Sequence, residues 1–156
     1  MQAATDNSLP LWTLPFFPLF FAAVWSLASI VISWGAGWRS LAKQFKTTEK
    51  PYGDVRSAGP WFYSVYFRFW AHYSSVIRME STHNALYLSV FFLFRIGHPP
   101  LRIPWEEIQF SRTKWFWRRY IVLTLGHEEQ IPMRISVRMA RNLGILDRLN
   151  AAQLSS

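Results

Sequence analysis

The sequence predicts one membrane-spanning helix followed by a small mainly-β barrel of about seven strands, closed by a carboxy-terminal helix. Three observations carry that expectation. Residues 14–38, LPFFPLFFAAVWSLASIVISWGAGW, contain no charged residue. From Trp61 to Ser136 apolar residues recur with period two, and beyond Ser136 the period becomes that of a helix.

The helix is assigned to residues 15–38. Proline at 15 and 18 is tolerated only in a first helical turn, so the regular part starts near Pro18. From Pro18 to Trp38, at about 1.5 Å per residue, the rod is about 31 Å long, close to a hydrocarbon core of about 30 Å. Trp12 at one end and Trp34 and Trp38 at the other take positions that interfacial rings favour. A cleaved leader needs a positive start, and residues 1–10 hold no Lys or Arg; residues 1–14 read as a short non-cytoplasmic tail. A soluble core helix needs a polar face, and none occurs before Arg39.

Charge gives the orientation. All 17 Lys and Arg lie at or after Arg39, and the only charge before it is Asp6, so the net +8 divides into −1 and +9. Positive flanks stay inside, which puts the amino terminus outside and the main domain in the cytoplasm. Residues 39–60 read as a basic juxtamembrane helix and linker. Trp34, Trp38, Arg39, Lys43 and Lys46 form its interface, with Leu41, Ala42 and Phe45 lying along the bilayer and the cations reaching anionic headgroups. A merely solvated flank fits the same residues. Ser26, Ser29 and Ser33, with GAG at 35–37, permit helix–helix contacts and hence a homo-oligomer or a membrane-protein partner. The absence of cysteine excludes disulfides and thiolate chemistry and fits a reducing compartment.

The domain proper spans residues 61–150, with 151–156 a frayed tail. In WFYSVYFRF the positions Trp61, Tyr63, Val65, Phe67 and Phe69 face one way. Ile77 and Met79 do the same in the next run, and HN at 83–84 turns into ALYLSVFFLFRI, with Leu86, Leu88, Val90, Phe92 and Phe94 inward. GHPP breaks that run. Leu101, Ile103 and Trp105 follow, then Ile108 and Phe110, then Ile121, Leu123 and Leu125, then Ile131, Met133 and Ile135. Ser136 caps a final helix with Val137, Met139, Ala140, Leu143 and Leu146 along one stripe, and Gly144 makes it kink or pause.

Seven strands and a closing helix is the order of a pleckstrin-homology-like barrel, although another small α+β roll fits the same pattern. ALYLSVFFLFRIGHPPLRIPWEEI, residues 85–108, resembles a stretch in small uncharacterised bacterial membrane proteins. In these, one amino-terminal span precedes a domain similar to pleckstrin-homology and GRAM modules. The resemblance implies architecture and residence in the bacterial inner membrane, and no activity.

Catalytic chemistry has few candidates. His98 with Glu106 or Glu107 is the one pair that strand reversal would bring together, in an enzyme acting on lipid or envelope material. Otherwise His98 donates to a backbone carbonyl and holds the HPP corner. His127-Glu128-Glu129 occupies a predicted turn, and His72 and His83 lack metal-ligand spacing. No catalytic residue, metal or cofactor is therefore expected. The remaining candidate is RTKWFWRRY, residues 112–120, a hairpin loop in which Arg112, Lys114, Trp115, Trp117, Arg118 and Arg119 combine charge with interfacial rings. Three readings stand open: the rings fold onto the barrel rim, the loop touches anionic lipid, or it takes a partner protein. One such patch on a membrane-anchored chain does not suggest nucleic acid. The functional expectation is a membrane-anchored, non-enzymatic module that contacts anionic headgroups, or else an assembly subunit without lipid specificity.

Overall fold

The computed structural model describes residues 16–59, 64–68, 71–74, 76–115 and 118–154. The apolar segment forms helix α1, Phe16–Gly35, 20 residues long and apolar enough to cross a bilayer. At about 1.5 Å per residue it measures about 30 Å. Most of its large side chains are exposed, and only Ser29 and Ser33 are buried. A core helix of a soluble protein would instead bury its apolar face.

Helix α1 stops three residues short of the predicted end. Ala36 and Gly37 turn the chain, with Gly37 at φ +82°, and helix α2, Trp38–Phe45, begins at once. A Cβ at Gly37 would come within 2.7 Å of Ile131 Cδ1 and 3.0 Å of Arg68 Nε, so the turn is tight as well as left-handed. Trp38 is not an interfacial ring. It has no exposed surface and lies among Phe67, Tyr73 and His98, with Nε1 donating to the Pro99 carbonyl at 3.0 Å. Leu41 is buried beside it, and Ala42 and Phe45 pack on the same core. The apolar face assigned to lipid is thus spent on protein, because the turn at Gly37 folds α2 back onto the domain. Trp34 stays exposed and carries the Arg39 guanidinium over its ring at 4.8 Å, while Lys43 and Lys46 face solvent.

Among the described residues nine strands form two antiparallel sheets. The first has the order β1 (Arg56–Ser57), β4 (Ile77–Ser81), β5 (Ala85–Val90), β6 (Leu101–Pro104). The second runs β3 (Ala71–Ser74), β2 (Ser64–Phe67), β9 (Ile131–Ser136), β8 (Arg118–Leu125), β7 (Ile108–Trp115). The expected inward residues of β4, β6, β8 and β9 are buried, and so are Val65, Phe67, Leu86, Leu88, Val90 and Ile108. Trp61, Tyr63 and Phe69 lie outside the described residues.

Among the described residues the predicted closed barrel of about seven strands does not form. Of the strands described, β6 pairs with β5 alone and β7 with β8 alone, and the 3-10 turn Trp105–Glu107 swings the chain from one sheet to the other between them. The two added strands, β1 and β3, pair at sheet edges, β1 from within the presumed linker.

Helices α3, Val137–Asn142, and α4, Ile145–Leu154, follow as the period change predicted. Ser136 Oγ accepts from the Met139 amide at 3.2 Å, and Gly144 at φ +70° separates the two helices. Ser81 Oγ donates to the Leu143 carbonyl at 2.8 Å, and Asn142 Nδ2 donates to Ala58, tying this layer to β4 and β1.

Trp38 and Trp34 would behave alike as interfacial rings. Here Trp38→Ala should lower unfolding free energy by about 3–5 kcal/mol, while Trp34→Ala should cost about 1 kcal/mol or less. Thermal melts of the full chain in mild detergent measure both.

Candidate functional site

The expected strand 85–96 ends at Val90, and the next seven residues leave the sheet. The Phe91 amide bonds the Val76 carbonyl at 2.8 Å, then Phe92–Phe94 make a 3-10 turn. Phe92 does not face the core: it is 67% exposed, with Leu93 at 52% and Ile96 at 48%. Four consecutive large apolar residues cannot serve a sheet with one wet face, and here the chain bends instead into a finger, residues 91–97.

The finger lies along α1. Trp25 Nε1 donates to the Leu93 carbonyl at 3.0 Å, the Trp25 and Phe94 rings are 4.9 Å apart, and Ser33 Oγ donates to the Gly97 carbonyl. Trp25, Ser29 and Ser33 recur every fourth residue and so share one helix face. Gly97, at φ +79°, approaches so closely that a Cβ there would be 3.3 Å from Ile30 Cα. The small residues predicted to admit another helix admit the finger. Trp25 is ten residues before Gly35, so the finger reaches about 15 Å along α1 from its end.

The finger returns through a buried polar group. His98 is 2% exposed, with Nδ1 against the Ile96 carbonyl at 3.3 Å and Nε2 against the Tyr73 hydroxyl at 3.0 Å. A carbonyl only accepts, so Nδ1 carries the proton and Nε2 accepts from Tyr73. Burial lowers the His98 pKa from its ordinary value, opposed by the backbone bonds to Ile96 and Phe94, and burial raises that of Tyr73. His98 therefore holds the corner as a neutral ring.

The pairing of His98 with Glu106 or Glu107 is not found. Glu107 Oε2 accepts from His127 Nδ1 at 2.5 Å, Glu106 is exposed, and both His98 nitrogens are engaged elsewhere. The β8–β9 turn fastens to the base of the molecule, with Gln44 bonding Glu128 at 2.6 Å and Arg68 pairing with Glu129 at 3.2 Å. His72 stacks on Tyr66 at 4.4 Å. No group of three metal-ligating side chains occurs among the described residues.

The loop 112–120 forms the tip of the β7–β8 hairpin, with Lys114 opposite Arg119 and Trp115 opposite Arg118. Residues 116–117 and the side chains of Lys114, Trp115 and Arg118 lie outside the described residues. Arg112 bonds Asn150 of α4 at 2.6 Å, and Arg119 is exposed. The other end of the hairpin, at Leu125–Gly126, lies against Leu41 and Phe45 of α2. Seven strand steps of about 3.3 Å put the tip about 23 Å away from it. The finger, not this loop, touches α1, through Leu93, Phe94 and Gly97, and it exposes Phe92, Leu93 and Ile96, of which strand periodicity turns Phe92 inward.

His98 gives a signed pH dependence. Its folded pKa is lowered, so between about 6.5 and that lower value only the unfolded chain binds the proton. Its contribution is complete above that window and is lost as pH falls through it. Melting temperature in detergent should therefore drop on acidification, and His98→Asn should flatten the slope. Compared with family models, curated proteins and solved structures, the chain gives no significant match.

Proposed function

We propose that this chain is a membrane-anchored, non-enzymatic binding module whose basic domain is held against the lipid surface, where it contacts anionic headgroups. The finger beside α1 carries this reading. With α1 across a bilayer, a finger lying along its last 15 Å or so sits at the depth of one leaflet. Phe92, Leu93 and Ile96 then meet acyl chains instead of water, worth about 1.5–3 kcal/mol for each side chain fully transferred.

Backbone entering lipid must have its polar groups satisfied. The finger meets part of that demand: the Phe94, Arg95 and His98 amides bond within it, and the Leu93 and Gly97 carbonyls accept from Trp25 and Ser33. The cations all follow the span, which favours a cytoplasmic domain with the amino terminus outside. A bacterial inner membrane, and a domain related to pleckstrin-homology or GRAM modules, accord with the resemblance of residues 85–108 and with the order of strands before a closing helix.

The chain has no cysteine, so one introduced cysteine labels one site. A spin label on Leu93→Cys in vesicles containing phosphatidylglycerol should be reached by oxygen and shielded from a water-soluble relaxer. The same label on Tyr52→Cys, 94% exposed, should be open to water. Equal water access at both positions overturns the placement. For orientation, Tyr52→Cys in intact cells should resist an impermeant maleimide until lysis.

A further inference from the structure

The linker after α2 crosses the outer face of the first sheet. It enters beside β6, where Lys46 bridges Leu101 and the Thr47 amide bonds the Pro100 carbonyl at 3.0 Å. It leaves beside β4, where β1 pairs with Glu80 and Ser81. Between linker and sheet lies an open cleft of about 870 Å³, floored by Tyr87 and Ser89 on the solvent side of β5. Clefts of about 300–1,000 Å³ accommodate small ligands.

The lining combines two chemistries. Phe91 and Phe92 belong to the root and first turn of the finger. Lys46, Lys50 and Arg78 share the lining with them, as does Arg95 of the finger itself. The acids on the lining are Glu49 and Glu80, and Glu80 is already paired with Arg78 at 2.6 Å. Lys46, Lys50 and Arg95 thus face one unpaired carboxylate, Glu49, and the cleft has a positive surplus. Aromatic rings beside a cationic surplus are complementary to an amphiphile with an anionic head.

We infer that this cleft binds the phosphate headgroup of one anionic phospholipid from the adjoining leaflet. Lys46, Lys50 and Arg95 hold the phosphate, and Phe91 and Phe92 hold the first carbons of the acyl chains. The inference rests on the placement of the finger in lipid, and it names a surface distinct from the hairpin loop 112–120. Charge supplies the selectivity: each cation near an anionic group favours it about fivefold.

Native mass spectrometry of the full chain in mild detergent tests it, with dioctanoyl-phosphatidylglycerol, dioctanoyl-phosphatidylcholine and inorganic phosphate as probes. The expected result is one phosphatidylglycerol adduct, favoured over phosphatidylcholine by at least ~10-fold. The triple variant Lys46→Gln, Lys50→Gln, Arg95→Gln should abolish the preference, and Arg138→Gln, an exposed cation outside the cleft, should keep it. Ser89→Trp, which fills the cleft without changing charge, should remove the adduct and serves if the triple variant melts early. Equal binding of both lipids, or a preference that survives both cleft variants, overturns the site. Full competition by inorganic phosphate at equal concentration overturns the lipid as its source. A label at residue 93 that lies in lipid while phosphatidylglycerol gains no preference sinks the cleft alone; a label in water sinks the membrane placement beneath it.

Discussion

Trp38 follows the end of α1 by three residues, and its indole is enclosed by Phe67, Tyr73 and His98 with Nε1 bonded to Pro99. Burial of so large a ring is a strong driving force, and the bond to Pro99 fixes its rotation. Only Ala36 and Gly37 separate this ring from α1, and Gly37 tolerates no side chain against Ile131 and Arg68. The direction in which α1 leaves the domain is thereby set. The finger adds a second fastening, since Trp25 and Ser33 hold Leu93 and Gly97 along the flank of the helix. A rod held at its foot and again along its side does not swivel.

Much of the β structure was legible because each strand has one wet and one dry face. Ile77 and Met79, Leu101 and Ile103, and Ile121, Leu123 and Leu125 announce their side by alternation alone. Ser136 and Gly144 were legible for local reasons, a side-chain cap and a left-handed φ. Barrel closure was not legible, because alternation shows which residues face inward and says nothing about which edge finds which partner. The failure to close lies at the 3-10 turn Trp105–Glu107, between two edges that belong to different sheets.

Two misreadings share one cause. The apolar faces of Trp38–Phe45 and of Phe91–Phe94 look the same in sequence, as both are runs of large side chains beside cations. Hydrophobicity records escape from water and does not distinguish lipid from protein as the refuge. The first run, given to the bilayer by its position after the span, packs in the core; in the second, given to the core by strand periodicity, Phe94 packs against the core while Phe92 and Leu93 are turned outward. The cleft was hidden for a different reason. It joins Lys46 and Lys50 to Arg78 and Arg95 across a long stretch of chain, and only the path of the linker over the sheet brings them together.

The finger covers α1 on one side and only along the half nearest the domain. The half towards Phe16 exposes apolar side chains, including Phe16, Phe17, Leu19, Phe20 and Phe21. On the proposed placement the molecule therefore displaces more lipid from the leaflet beside its domain than from the opposite one. Such a body is a wedge. Several of them gathered in one patch of membrane would crowd a single leaflet and bend the sheet towards the thinner end of the wedge, away from the domains.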